Sequence, residues 1–281
     1  QIKILTGDNP DATRAVCKEG GLNADVILTG NEIDNMSDEI LSKKVETVNV
    51  FARLTPLQKE RIVKILRQKG HVVGYMGDGV NDAPSLSEAD VGISVNTATD
   101  IAKEASDILL LEKSLKVVYD GIIEGRKVYG NIMKYMKMAL SAGFGDVFSV
   151  FLASICLPFL PMVPIQLLLE DLIYDISQIA IPFDNVDREF LEKPHKWDTS
   201  DLKKFMNVMG ITASSVDLIA FAIFWFVLGF NSVSDQYSFQ TAWFIEGVIS
   251  QTMIVHFIRT EKIPFIQSTA SKWLLLSTTF S

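Results

Sequence analysis

Three short segments carry side chains suited to binding phosphate and a divalent metal. TGDNP (6–10) offers a hydroxyl, a glycine amide and a helix start, and GDGVNDAP (77–84) holds two carboxylates four residues apart. Helix starts bind phosphate oxygens, and Mg²⁺ prefers one or two carboxylates with waters and phosphate. TPLQK (55–59) places Lys59 on the first turn of a helix, where the dipole disfavours a cation unless an anion lies nearby. Each segment alone also fits an ordinary turn or a surface lysine.

A second set of acidic side chains lies in apolar sequence. QLLLEDLIYDISQIAI (166–181) contains Glu170, Asp171 and Asp175, and the preceding apolar stretch contains Asp146. Each carboxylate costs about 2.5–3.5 kcal/mol at the centre of a membrane helix. Asp171 and Asp175 share one helical face, so with Asp146 they predict a cation site within the bilayer. Protonated acids bonded to neighbouring helices, or Glu170 solvated near one interface, are the alternatives.

The later apolar stretches contain single polar residues that more often form hydrogen bonds between helices. We leave these residues out of the predicted site: Asp217, Glu246, Gln251 and His256. An all-oxygen site suits a hard divalent ion, but ligand type alone does not distinguish Mg²⁺ from Ca²⁺.

The elements that position the first set alternate between strand and helix up to about Tyr119. Strands without polar alternation, separated by helices, predict a parallel sheet covered on both faces. Ligands bind such sheets at the carboxyl ends of the strands. We expect strands at 2–5, 25–28, 48–51, 72–76, 91–95 and 107–111, with helices from about Asp11, from Pro56 to about Lys69, near Asp82 and near Asp100.

From residue 138 onward the chain contains apolar stretches of about 20 residues, long enough to cross a bilayer as helices. Every other connecting loop is basic, which predicts that the first domain is cytoplasmic. The predicted domains are 1–113, a stalk helix at 114–137, for which a flexible linker is the alternative, and a transmembrane part at 138–281. Its spans are expected at 138–157, 163–183, 208–230 and 242–258, with a fifth beginning at Trp273.

The totals exclude some classes of function. A net charge of −8 over 281 residues argues against a nucleic-acid surface. The two cysteines, Cys17 and Cys156, have no metal-ligand spacing and predict reduced, mostly buried thiols. The chain begins on the apolar run IKIL, as if a larger protein had been divided within a domain.

TGDNP, TPLQK and GDGVNDAP, in this order, resemble the phosphorylation domain of P-type ATPases, which has an α/β haloacid-dehalogenase-like fold. The resemblance implies that Asp78 binds the catalytic Mg²⁺, with Asn81 and Asp82 completing the metal and phosphate shell. It also implies that Thr6, Gly7 and Lys59 hold the phosphoryl group, with Asp8 in the same site.

The membrane half resembles the bacterial magnesium-transporting P-type ATPases in YDISQIAIPFDNVD (174–187), SQTMIVHFIRT (250–260) and IPFIQS (263–268). Asp146 matches the acidic position of the fifth pump helix, and Asp171 and Asp175 match ion-ligand positions of the sixth. The resemblance implies ATP-driven transport of Mg²⁺ across the inner (plasma) membrane through an aspartyl phosphate.

The chain departs from that family because it contains no DKTG motif, whose aspartate is phosphorylated. The nucleotide-binding domain, the actuator domain and four membrane helices are also missing, so this part alone should not hydrolyse ATP. The expected partners are transported Mg²⁺, membrane lipid and the missing amino-terminal part of the same pump. Alternatives are a calcium-transporting P-type ATPase and a non-catalytic membrane interaction or regulatory fragment.

Overall fold

The computed structural model describes residues 1–112 and 114–281, which form two compact units. Unit 1 comprises Gln1–Tyr119 and unit 2 comprises Asp120–Ser281. The predicted end of the first domain, at residue 113, lies outside the described residues.

Unit 1 contains the six predicted strands, and all of their described pairings are parallel. They form two three-stranded sheets, ordered β1-β3-β2 and β4-β5-β6, where one sheet was expected. β1 has only two residues, and the backbone amides of Ile4 and Thr6 donate to Asn49 and Phe51 beside β3. The strands are β1 Ile4–Leu5, β2 Ile27–Thr29, β3 Val50–Ala52, β4 Gly74–Met76, β5 Val91–Val95 and β6 Ile108–Leu110.

Several helices of unit 1 begin at side chains that cap their free amides. Asn9 Oδ1 accepts from Ala12 N at the first helix, and Thr55 forms a reciprocal capping box with Gln58 at the fourth. The sequence interpretation missed the second and third helices. The six are α1 Pro10–Glu19, α2 Gly30–Asp34, α3 Asp38–Thr47, α4 Pro56–Gln68, α5 Ala83–Glu88 and α6 Asp100–Glu104.

Two large apolar clusters and a small one around Cys17 form the core of unit 1. Phe51 and Ile62 are fully buried in the first, and Leu86 is almost fully buried in the second. Leu5 and Val73 pack against both clusters, so the two sheets contribute to adjoining parts of one core.

Unit 2 is helical, and three helices are long and apolar enough to cross a membrane: Leu115–Cys156, Thr199–Val227 and Val233–Ile258. The predicted helical membrane region is confirmed at this level. The predicted stalk and first span belong to one continuous helix that begins in unit 1. The helices are α7 Leu115–Cys156, α8 Pro164–Gln178, α9 Arg188–Glu192, α10 Thr199–Ala222, α11 Gln236–Ile258 and α12 Lys272–Phe280.

Small residues allow α7 and α10 to approach closely. A side chain at Gly210 would collide with Phe144, and Ser214 Oγ donates to the Gly145 carbonyl over 2.9 Å. Such contacts between small residues are typical of membrane helices. Both cysteines are free, but Cys156 is exposed at the end of α7, where a buried thiol was expected.

Candidate functional sites

The most strongly connected pair in the predicted phosphate site is Lys59 with Asp82. Lys59 Nζ lies 2.8 Å from Asp82 Oδ1, and the two side chains expose only 11% and 15% of their surface. Lys59 extends from the first turn of α4, and Asp82 lies just before α5. The anion that the position of Lys59 requires is therefore supplied by Asp82.

Two further donors stabilise the Asp82 carboxylate. The Tyr75 hydroxyl donates to Oδ1 over 2.9 Å, and the Gly79 amide donates to Oδ2 over 3.3 Å. Burial acts to raise the pKa of Asp82, but Lys59 and these donors hold that pKa below its usual value. Burial and the Asp82 charge raise the pKa of Tyr75, so its hydroxyl stays protonated and continues to donate.

Gly77 provides the room that this arrangement needs. A Cβ at Gly77 would lie 2.5 Å from the Asp82 Cβ, well inside van der Waals contact. The Gly77 carbonyl also accepts from the buried Ser94 hydroxyl over 2.8 Å. The backbone at the end of β4 is thus held close to the Asp82 side chain.

TGDNP forms a compact turn at the end of β1. Thr6 Oγ1 donates to Asp8 Oδ2 over 3.0 Å and accepts from Asp8 N over 3.1 Å. Arg53 N donates to the Asp8 carbonyl, and Leu54 N donates to the Thr6 carbonyl. Arg53 has a φ of +53°, a strained value for a residue with a side chain. These bonds hold TGDNP against the segment that leads into α4.

The remaining predicted residues of this site lie on open surface. Gly7, Asp8, Asp78 and Asn81 are exposed, whereas Thr6 is half-buried. Asp78 follows β4, and its carbonyl accepts from Thr99 N over 3.1 Å. Among the described residues, no hydrogen bond joins Thr6–Asp8 to the Lys59–Asp82 pair. The structure therefore gives a largely buried Lys59–Asp82 ion pair, while most of the other predicted site residues are accessible to solvent.

In unit 2, Asp146 is bound to a residue outside the predicted site. Gln251 Nε2 lies 3.0 Å from both Asp146 carboxylate oxygens and joins α7 to α11. Gln251 Oε1 is buried, and no described group donates to it. The sequence interpretation had assigned Gln251 to helix packing, because a single polar residue does not reveal its partner on another helix.

Other acids are more buried than the predicted set. Glu170 is 6% exposed and packs directly against Gly247, where any side chain would collide with its carboxylate. Asp217 is 8% exposed and accepts from Ser149 Oγ over 2.5 Å. The half-buried Glu246 has a buried oxygen without a described donor.

Asp171 and Asp175 lie on the exposed face of α8, away from the face that carries Glu170 and Tyr174. Within residues 1–112 and 114–281, no three or more His, Cys, Asp or Glu side chains form a group that could hold a metal ion. The cation site at Asp146, Asp171 and Asp175 stays a prediction.

Residues 159–281 match the family described as "Cation transporting ATPase, C-terminus". The chain is 54% identical over 277 residues to the magnesium-transporting ATPase, P-type 1, of Salmonella typhimurium, a match that covers 99% of this chain and 30% of that protein. Its Escherichia coli counterpart is 52% identical over 99% of this chain and 31% of that protein. The calcium-transporting ATPase 1 of Bacillus cereus is 39% identical over 78% of this chain and 26% of that protein.

The chain spans about a third of the length of the magnesium-transporting relatives. The match to them extends over both units, and the carboxy-terminal family match lies within unit 2. The chain therefore belongs to the P-type cation-transporting ATPases and corresponds to their carboxy-terminal part.

Proposed function

We propose that the complete protein uses ATP to transport Mg²⁺ across the cytoplasmic membrane through an aspartyl-phosphate intermediate. The observation that carries this proposal is the 54% identity to a magnesium-transporting ATPase over nearly all of this chain. The calcium-transporting relative is less similar and matches less of the chain.

In this proposal, unit 1 holds the phosphoryl group during its transfer and hydrolysis. Lys59 stabilises negative charge on the phosphoryl oxygens, and the ion pair with Asp82 holds Lys59 in place. Thr6, Gly7 and Asn81 donate hydrogen bonds to the same group, and the exposed position of the TGDNP turn supports this role. Asp8 holds the Thr6 hydroxyl in position.

Mg²⁺ is the cofactor that phosphoryl transfer requires. The exposed Asp78 carboxylate fits such an ion, because Mg²⁺ keeps most of its waters and needs few protein ligands. The Asp82 oxygens accept from Lys59, Tyr75 and Gly79, so Asp82 would complete the metal site beside Asp78 from a fixed position. When bound, the ion would neutralise charge on the phosphoryl oxygens.

The finer architecture follows the same family. We assign residues 1–113 to a haloacid-dehalogenase-like phosphorylation domain and residues 114–137 to a stalk. The continuity of α7 from Leu115 to Cys156 supports a stalk that enters the membrane as a helix. ATP would bind to a domain outside this chain.

For the transported ion, we infer a site at Asp146, Asp171 and Asp175. Asp146 is held by Gln251, whose unpartnered Oε1 can serve as an additional oxygen ligand. Asp171 and Asp175 are exposed on an apolar helix, where a charged group needs a partner. The amino-terminal part of the pump would supply that partner, with unit 1 in the cytoplasm and unit 2 in lipid of the plasma membrane.

Ion transport into sealed vesicles tests the proposal better than ATP hydrolysis, because Mg²⁺ is also needed for hydrolysis itself. The complete pump should move Mg²⁺ when given ATP, and Asp78→Ala should abolish both phosphoenzyme turnover and transport. Transport of Ca²⁺ without Mg²⁺ would instead support a calcium pump. Absence of ATP-dependent phosphorylation would favour a non-catalytic interaction or regulatory role.

A further inference from the structure

A buried ionic junction joins three helices of unit 2. Asp184 Oδ2 accepts from Lys134 Nζ of α7 over 2.7 Å and from Arg259 Nε, at the end of α11, over 2.9 Å. Asp184 Oδ1 accepts from the backbone amide of Ser271, the residue that caps α12. The side chains expose at most 10% of their surface, and that of Asp184 exposes none.

Backbone carbonyl groups accept further hydrogen bonds from the side chains of the junction. Lys134 Nζ also donates to Asn185 O over 2.6 Å, and Arg259 Nη2 donates to Thr269 O over 3.0 Å. Asn131 Nδ2, one turn before Lys134, donates to Asp184 O over 3.1 Å. Buried charges tolerate burial only when their hydrogen-bonding groups are satisfied in this way. The junction therefore has one well-defined geometry.

The same two long helices are joined a second time at Asp146 and Gln251. Along α7, Lys134 and Asp146 are twelve residues apart, about 18 Å at the rise of an α-helix. Along α11, Gln251 and Arg259 are eight residues apart, about 12 Å. Two contacts at different points along the helix axes fix how far α7 is shifted along its axis relative to α11.

We propose that Asp184, with Lys134 and Arg259, sets the axial position of α7 against α11 and thereby positions Asp146 on Gln251 in the candidate cation site. These three are positioning residues, since they lie about 18 Å along α7 from Asp146 and do not contact the ion. The inference rests on the proposed cation site at Asp146. Loss of Asp184 leaves two buried cations without their shared anion, and the helices shift to separate them.

The test is the Mg²⁺ affinity of the complete pump, measured by equilibrium binding, beside the rate of phosphorylation by ATP at saturating Mg²⁺. Asp184→Asn should weaken Mg²⁺ affinity about 10-fold or more, as loss of a supporting residue at a metal site does, while the saturated phosphorylation rate changes little. The matched control is Glu189→Gln. It removes an exposed ion pair, Glu189–Lys262, between α9 and the segment that follows α11, and Mg²⁺ affinity should not change.

A double-mutant cycle distinguishes positioning from general loss of structure. If Asp184 acts through Gln251, the effect of Asp184→Asn on Mg²⁺ affinity should shrink in a Gln251→Leu background. Equal effects in both backgrounds would overturn the inference. If Asp184→Asn does not fold, Lys134→Met keeps the Asp184–Arg259 pair and should still weaken binding; unchanged affinity in that variant overturns it as well.

Asp146→Asn separates the two proposals. If it weakens Mg²⁺ binding but Asp184→Asn does not, the junction inference fails and the proposed cation site stands. If Asp146→Asn leaves Mg²⁺ binding unchanged, the proposed cation site itself fails.

Discussion

The acid of the phosphate site and the acids of the membrane helices differ in what surrounds them. Asp82 accepts from a lysine, a tyrosine hydroxyl and a backbone amide. Glu170 and Glu246 lie among apolar helices, and Glu246 has a buried oxygen without a described donor. Three donors hold the Asp82 carboxylate in one position, as a catalytic site needs. A buried acid with an unpartnered oxygen can still bind a proton, a water molecule or a cation.

The largest effect should follow from removing the positive charge of Lys59, which pairs with Asp82 in the phosphate site. Lys59→Met should slow phosphoenzyme turnover about 10²–10³-fold, the usual cost of losing one charge-stabilising group. Lys64→Met, an exposed lysine on the same helix, is the control. Rapid-quench measurement of phosphoenzyme decay compares the two. Equal rates in both variants would remove Lys59 from the site.

A smaller effect should follow from crowding the membrane acids. Gly247→Ala places a methyl group on the Glu170 carboxylate, so this buried side chain must leave its position between α8 and α11. We expect a loss of about 1–3 kcal/mol in the free energy of unfolding, seen as a lower melting temperature in detergent. Gly143→Ala is the control, since nothing lies within 4 Å of a Cβ there. Equal melting temperatures for the two variants would show that Glu170 does not pack on Gly247.

Ser149→Ala should lower the free energy of unfolding by about 1–2 kcal/mol, because Asp217 loses the Ser149 hydroxyl as a donor while it stays buried. Ser215→Ala on α10 removes an exposed hydroxyl that bonds only within its own helix. Thermal unfolding should separate the variants. A Ser149→Ala variant no less stable than Ser215→Ala would contradict a stabilising bond between Ser149 and Asp217.

The smallest effect is expected at Asp90, on the surface of unit 1. Val73 N donates to Asp90, and with Arg67 it holds the pKa of Asp90 below its usual value. A lowered pKa means that this stabilisation is present above the unfolded pKa of about 3.9 and is lost as pH falls through the folded value. Asp90→Asn should therefore lower the free energy of unfolding at pH 6, by less than about 1 kcal/mol, and lower it by a smaller amount at pH 3. An equal decrease at both pH values would contradict this.

The sequence predicted unit 1 more fully than unit 2, since strands and motifs are local. The β-branched runs and the Thr55 cap indicate their elements within a few residues. The division into two sheets was not predictable, because it depends on which edges of short strands pair. α2 and α3 were missed because their short amphipathic pattern lies in polar sequence.

In unit 2, helical periodicity showed which acids share a face but not which face points inward. Asp171 and Asp175 do share a face, yet the buried face of α8 is the one with Glu170, Tyr174 and Gln178. Gln251 and Asp146 are 105 residues apart in sequence. Only the packing of the helices reveals such a pair.

The most direct test of the account is Mg²⁺ uptake into vesicles that contain the complete pump, driven by ATP, before and after Asp146→Asn. We expect uptake in the unmodified protein, and in the variant a loss of most transport at low Mg²⁺ with phosphorylation by ATP retained. Transport of Mg²⁺ at the same rate and affinity in both proteins would contradict the claim that a membrane carboxylate binds the transported ion.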